Sequence, residues 1–494
     1  MRTGQAVLAA QSRAVEESSS DPGWLFRRIT SDFAAAWSAS IRRLPMGTEG
    51  FLPSAGDSRM LPMSQSQPQL RYFDNNATTR VDPAVVEAML PFLTERWGNP
   101  SSAYRFGHEV RHHVDEARAR LAALVNADPK EILFTSCGTE SNNTAIHSAL
   151  ALNPTKRHVV TTAVEHSANI KYGEFLQRHG YQVTYLPVEP DGSIDIHLVD
   201  QSIRPETAIV SVMWANNETG VVFPMEEIAA ICRSRNVLFH TDAVQTPGKL
   251  KLDVRSTGVD FLSLSAHKLH APKGIGMLYV KKRTPFQPYI VGGHQERGRR
   301  GGTENVPYIV GFGRAAELAM ERLHEENSRV RGLRDRLEQT LLATVPNAVR
   351  NGAREPRLPN TSNLAFDFVE AEAILMMLDR LGICASSGSA CTTGAIDPSH
   401  VLTAMGIRPM RARGSIRFSL GIDTQAEEVD YVLEHLPPII HQLRSISPLD
   451  PAHLDNDQLG LAVTRRHKPE GASAPSAHPR QPPGQSKPGS GIPV

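Results

Sequence analysis

Apolar residues fall in short, dense runs through the middle of the chain, and polar turn formers close each run. Val259-Asp260-Phe261-Leu262-Ser263-Leu264 is one such run. Others are Glu131 to Thr135, His158 to Thr161, Gln182 to Leu186, Ala208 to Met213, Val237 to Thr241 and Gly276 to Val280. Runs this short, rich in β-branched and aromatic residues, read as buried strands. Between them the apolar spacing shifts to three and four, which predicts helices over about 107–125, 169–179 and 225–235. A helix of small residues is expected from Ser141. Asp82-Pro83 sets an N-cap before a proline at the first helical position, so a helix should run from there to about Thr94. Strands alternating with helices predict an α/β fold with a mostly parallel sheet covered on both faces. Ligands of such sheets lie beyond the carboxyl ends of the strands.

Farther along, a long helical pattern spans about 307–342, followed by a strand over 361–368 and a helix over 371–381. A loop of small residues, Cys384 to Gly394, precedes a returning strand over 413–420 and a helix over 427–443. The expected organisation is a large α/β domain over 70–325 and a smaller α+β domain over 326–446. Residues 70–82 should contribute to the smaller one. Residues 447–494 are rich in Pro, Ser and Gly and are expected to be disordered.

Residues 1–69 lack periodicity and lysine, and are expected to form a disordered extension, with Met63 as the expected start of the native protein. Trp24-Leu25-Phe26-Arg27-Arg28 and Ser40-Ile41-Arg42-Arg43 resemble pieces of an arginine-bearing presequence. Glu16, Glu17, Asp21 and Asp32 speak against a transit peptide, and no apolar h-region suggests a secretory signal.

Charge narrows the functions. The 494 residues carry 53 Lys and Arg against 52 Asp and Glu, so no net field favours nucleic acid or an anionic membrane. No apolar run approaches the roughly 20 residues that cross a bilayer. The four cysteines, Cys137, Cys232, Cys384 and Cys391, show no CxxC pair and no metal-ligand spacing. Sparse cysteine in so long a chain fits a reducing compartment, so a cytoplasmic location is expected, an organellar one being the alternative.

The chemistry gathers at the predicted strand ends. Lys268, in Ser265-Ala266-His267-Lys268, follows an apolar strand, where desolvation makes an amine a nucleophile toward carbonyls. Asp242-Ala243-Val244-Gln245 closes another strand. A lysine that forms a Schiff base and an acid for a pyridinium nitrogen are together the signature of pyridoxal phosphate. Gln245 is positioned to bond the ring's phenolic oxygen. Gly138-Thr139-Glu140, between a strand and a helix, offers backbone donors for a phosphate, although such a turn is by itself more often only a cap. His166 and Asn217 also follow strands. Alone, each would read as a cap or a turn residue; beside Lys268 and Asp242, His166 reads as a ring stacked on the cofactor that also moves protons.

Six stretches carry a resemblance: Phe73-Asp74-Asn75-Asn76-Ala77-Thr78-Thr79, Gly98-Asn99-Pro100-Ser101-Ser102, Phe134 to Asn142, Asn216-Asn217-Glu218-Thr219-Gly220, Ser265-Ala266-His267-Lys268 and Ser387-Gly388-Ser389-Ala390-Cys391. Together they resemble cysteine desulfurases of the NifS/IscS type, within the class-V pyridoxal-phosphate-dependent aminotransferase family, over about Tyr72 to Leu443. The resemblance implies the aspartate aminotransferase-like fold of PLP-dependent transferases. It implies that L-cysteine is converted to L-alanine, with sulfur passing through a persulfide to an iron–sulfur scaffold or another acceptor protein.

Residue by residue, the resemblance makes Lys268 the cofactor-bound lysine and Gly138, Thr139, Ser265 and His267 the phosphate contacts. Asp242, Gln245 and His166 keep the ring roles above, and Asn217 touches cofactor or substrate. Thr303 would reach the phosphate across a homodimer interface. Arg417 would hold the substrate carboxylate, and Cys391 would be the nucleophile. No metal is implied; whether Cys391 transiently touches an iron–sulfur cluster stays open. Another class-V enzyme, such as an aminotransferase or a selenocysteine lyase, and a non-catalytic scaffold remain the alternatives. Cys137, Cys232 and Cys384 are expected to be packing residues, Cys384 buried.

Overall fold

Five of the predicted strands become neighbours in one sheet because their connections are long enough to carry crossover helices. The computed structural model describes residues 69–387 and 398–447. The extension before Gln69, the tail after Ser447 and Cys391 lie outside the described residues. The strands are β1 (Arg71–Tyr72), β2 (Ile132–Thr135), β3 (His158–Thr162), β4 (Gln182–Leu186), β5 (Thr207–Ser211) and β6 (Leu238–Asp242). They continue with β7 (Phe261–Ser265), β8 (Gly276–Val280), β9 (Ala348–Arg350), β10 (Thr361–Phe366), β11 (Ile383–Cys384) and β12 (Ser415–Ser419). The large sheet has seven strands in the order β2-β8-β7-β6-β5-β3-β4.

Every pair from β4 through β7 is parallel, but β8 runs antiparallel to both β7 and β2. The cause is the short connection between Ser265 and Gly276, which has no room for a crossover helix. That same connection carries Lys268. Helices over Arg105–Leu124 and Val306–Glu325 cover the sheet, with Val114, Leu121, Ile309 and Phe312 buried in its core. Leu133, Ile146 and Leu176 belong to a second buried cluster.

A three-stranded antiparallel sheet, β12-β10-β9, has its own core, in which Phe73, Leu337, Phe366, Ile374 and Phe418 are buried. Val401, Leu402 and Met405 instead pack into the core of the large sheet.

Several local expectations need correction. The small-residue helix begins at Gly138 rather than Ser141, so its free N–H groups start at the glycine. The helix after Asp82 is broken at Leu90, because Pro91 has no N–H to continue it. The long helix is interrupted by a π turn over Glu326–Val330, a wider turn that periodicity over so long a segment averages away. Short helices over Ile196–Ser202, His400–Ala404 and Pro409–Arg413, and β9, were not expected, being too brief for a periodic signal.

The buried histidines of the sheet set a pH limit on stability. His240 is fully buried between Ser211 Oγ at 2.8 Å and Ser263 Oγ at 2.9 Å, and burial lowers its pKa to about 3. The unfolded chain takes up this proton near pH 6.5, so the stability contributed is complete above that value and is lost as pH falls below it. At about pH 5 the loss from this one residue should be about 2 kcal/mol relative to about pH 8. Urea midpoints across that range should fall in the native protein and fall less in His240→Asn. Equal slopes for both would reject this origin.

Candidate active site

Each functional group stands at the carboxyl end of a strand running in the common direction: Gly138 after β2, His166 after β3, Asn217 after β5, Asp242 at the end of β6 and Lys268 after β7. They line one cavity of about 400 Å3 with Thr139, Gln245, Ser265, His267 and Arg417. Of the residues selected from sequence, Thr303 does not join them. It is exposed and lines a separate cavity of about 190 Å3 with Ser136 and Arg300. Cys391 lies outside the described residues.

Asp242 lines the cavity at the end of β6. One carboxylate oxygen accepts from Asn142 Nδ2 at 2.6 Å and the other from the Val244 N–H at 3.0 Å. These bonds aim the carboxylate from a strand end that is almost fully buried. Gln245 Nε2 donates to the Asn76 carbonyl at 3.0 Å. Gln245 Oε1, Asn217 Oδ1 and Asn142 Oδ1 are buried without a partner among the described residues. Buried polar groups are normally paired, so these three suit a polar ligand.

The helix from Gly138 opens with no side-chain cap, which leaves its first N–H groups available to an anion. A Cβ at Gly138 would come within 2.8 Å of Val244 Cγ2, so only glycine fits this approach. Glu140, in the first turn, would repel an anion if it were unpaired. Burial works against its charge, but Arg300 at 3.0 Å and the Ser136 N–H at 2.8 Å hold its carboxyl below the usual range.

Lys268 ends a single 3-10 turn after β7, and its amine donates to the carbonyls of Asn76 and of Ala77, the latter at 2.7 Å. Its neighbour His267 is neutral near pH 7, since burial, and then the charges of Lys268 and Lys273, lower its pKa to about 4. His166 keeps the bland role as well as the cavity position. Its Nδ1 accepts from the Ala168 N–H at 3.1 Å, capping the helix over Ser167–Arg178. That bond puts the proton of the neutral ring on Nε2.

Arg417, on β12, reaches into the cavity from the smaller sheet. Its guanidinium donates to Asp74 Oδ1 at 2.6 Å and to the Asn217 carbonyl at 2.9 Å. Asn76 joins both sheets to the site. Its side chain donates to Asn217 O at 3.1 Å and Thr361 Oγ1 at 2.9 Å, while its carbonyl accepts from Lys268 and Gln245.

The Aminotransferase class-V family matches residues 71–432. The chain belongs to this family. "Cysteine desulfurase 2" of Trichormus variabilis is 53% identical over 387 residues, 78% of this chain and 96% of that protein. "Cysteine desulfurase NifS" of Azotobacter vinelandii is 51% identical over 378 residues, 76% of this chain and 94% of that protein. A solved "NifS-like protein" superposes with a TM-score of 0.72 at 39% identity, covering 76% of this chain and all of that one. The fold is therefore that of the PLP-dependent transferases.

The site of this class-V family member is also held together by residues that the sequence alone did not single out. Asp74, Asn76 and Asn142 sit inside stretches that carried the resemblance, yet nothing local marked them as contacts. Cys137 was read as packing, but it lines the cavity beside Gly138. Cys384, expected buried, is half-buried on β11, where it pairs with Tyr72 of β1. Cys232 is a packing residue, its thiol pushed up to about 12 by burial.

Proposed function

We propose that this enzyme is a pyridoxal-phosphate-dependent cysteine desulfurase, which takes sulfur from L-cysteine, releases L-alanine and hands the sulfur to an acceptor protein. The observation that carries the reading is the convergence of Lys268, Asp242, His166, Gln245 and Arg417 on one cavity. The uncapped helix at Gly138 and the three unpartnered amide oxygens fit the phosphate and the polar ring of the cofactor. When bound, that ring supplies an electron sink, and the Asp242 carboxylate favours the protonated ring nitrogen.

The protein's own groups do the rest. Lys268 attaches the cofactor and exchanges protons with the substrate. Arg417 orients the substrate carboxylate: two of its five N–H groups are used by Asp74 and Asn217, and the Nε–H is buried without a partner among the described residues. His166, with its proton on Nε2, is a local donor. The Cys391 thiolate attacks the substrate sulfur. A sulfur–sulfur bond forms as the carbon–sulfur bond breaks, and the carbon takes a proton to become the methyl group of alanine.

The acceptor belongs to iron–sulfur cluster assembly in this reading, as the resemblance to NifS/IscS-type cysteine desulfurases implies. A homodimer is supported by the exposure of Thr303 outside its own chain's cavity and by the exposed Val86, Leu90, Leu93 and Trp97. No helix among the described residues is long and apolar enough to cross a membrane. A cytoplasmic site of action suits the reduced thiol that the chemistry needs.

Alanine formed from L-cysteine in the presence of a thiol reductant tests the reading. The wild type should produce alanine and Cys391→Ala should lose at least about a hundredfold in rate, the usual scale for removing a nucleophile acting with an acid–base pair. Equal rates would favour a lyase acting without the thiol. Wild type that needs an oxo acid to turn over would be an aminotransferase.

A further inference from the structure

One buried carboxylate next to the cavity has no part in the chemistry above. Glu218 follows Asn217 in the turn after β5 and is only 3% exposed. Its Oε2 accepts from Ser399 Oγ at 2.5 Å, a contact spanning 181 positions of sequence. Ser399 is itself 4% exposed and caps the helix over His400–Ala404, accepting from the Val401 N–H at 3.1 Å and the Leu402 N–H at 3.2 Å. The hydroxyl is thus fully used: its proton goes to Glu218 and its lone pairs to the helix.

A second strut runs beside the first. His400 Nε2 donates to the Glu165 carbonyl at 2.9 Å, and Glu165 precedes His166. The Glu165 side chain fixes that turn from within, accepting from Thr162 Oγ1, the Met213 N–H and Asn169 Nδ2, each at 2.9 Å. The two turns are also tied to each other, since Asn216 Nδ2 donates to the Val164 carbonyl at 3.0 Å. Consecutive residues 399 and 400 therefore bracket the turns that bring His166 and Asn217 to the cavity.

Capping alone does not explain this. A cap needs only the serine lone pairs, and an apolar residue at 218 would fill the space without burying a charge. Burial raises the Glu218 carboxyl above its ordinary range, opposed by Ser399 and by the charges of His400, Arg417 and His166. The carboxylate is retained at a cost to stability, against a serine eight positions after Cys391 in the sequence.

We propose that Glu218 and Ser399 form a positioning pair, in which the carboxylate fixes the root of the Cys391 segment against the turn that carries Asn217. The inference rests on Cys391 being the nucleophile. Loss of the pair should slow the step that uses the Cys391 thiol while leaving the groups that bind the substrate amine and carboxylate in place.

The test uses cofactor-loaded enzyme with L-cysteine, together with the change in visible absorption on adding L-alanine, which has no sulfur to lose. Glu218→Ala and Ser399→Ala should each lower kcat about tenfold to a hundredfold, the scale of a lost charged hydrogen bond or a small misplacement. KM and the L-alanine response should stay within about twofold, and the double variant should be no worse than either single one. Glu218→Gln and Ser399→Thr, which keep the acceptor and the hydroxyl, should recover most of the rate. Ser399→Ala removes a single oxygen and reads the same contact if Glu218→Ala fails to fold. Wild-type kcat in Ser399→Ala would overturn the proposal, as would a parallel loss of kcat and of the L-alanine response. If Cys391→Ala stayed active, the desulfurase reading itself would fail, whatever the Glu218 variants did.

Discussion

Lys268→Ala should lose at least about a thousandfold in alanine formation from L-cysteine, even with cofactor in excess, because one amine carries two tasks. In the proposed reading it attaches the cofactor, and it moves protons at the substrate carbon, a contribution that alone spans about two to four orders of magnitude. No neighbour can replace it. His267 is held neutral with a pKa of about 4, and His166 has its Nδ1 committed to the helix at Ser167. Borohydride reduction followed by intact mass gives a second readout: the wild type should gain the cofactor's mass and the variant should not. A variant that kept a tenth of the rate, or gained the mass, would remove Lys268 from the role assigned to it.

Arg417→Ala should raise KM for L-cysteine about a hundredfold while kcat changes less than about fivefold. Truncating one partner of a buried, hydrogen-bonded charge pair typically costs about 2–5 kcal/mol, and a hundredfold lies within that range. The variant loses the planar donor proposed for the substrate carboxylate and leaves Asp74 without its ion pair at 2.6 Å. Arg417→Lys should recover little, since an ammonium is a point charge and cannot serve Asp74, Asn217 and a carboxylate with one fork. Steady-state kinetics decide the matter, and a KM within twofold of wild type would exclude Arg417 as the carboxylate partner. Thermal melts of the same variants separate binding from folding, because β12 is an edge strand of the smaller sheet and pairs with β10 over Ser415–Ser419.

Much of this site was legible before any coordinates. Asp242 and Lys268 each close an apolar run, and a polar residue at such a point has a local signature: strand formers before it, turn formers after it. Gly138 and His166 could be found in the same way, although the sequence alone offered a cap as the simpler explanation of each, and the His166 ring does cap its helix. Asn76 was different. Its partners are at positions 217, 245, 268, 360, 361 and 419, and no window of sequence contains them. Cys137 was misread for a related reason. A thiol among small residues resembles core packing until the sheet opens a cavity at the carboxyl end of β2.

By itself the sequence determined the alternation of strands and helices, the parallel character of most of the sheet, and the set of chemically capable residues at strand ends. These follow from local periodicity and turn chemistry, which a single segment records. Only the tertiary structure decided that β8 runs backwards, that five strand ends share one cavity, that Arg417 enters it from another sheet already paired with Asp74, and that Ser399 meets Glu218. Those outcomes depend on crossover lengths, strand order and the burial of charges brought together from distant positions. They are properties of packing, which no local pattern encodes.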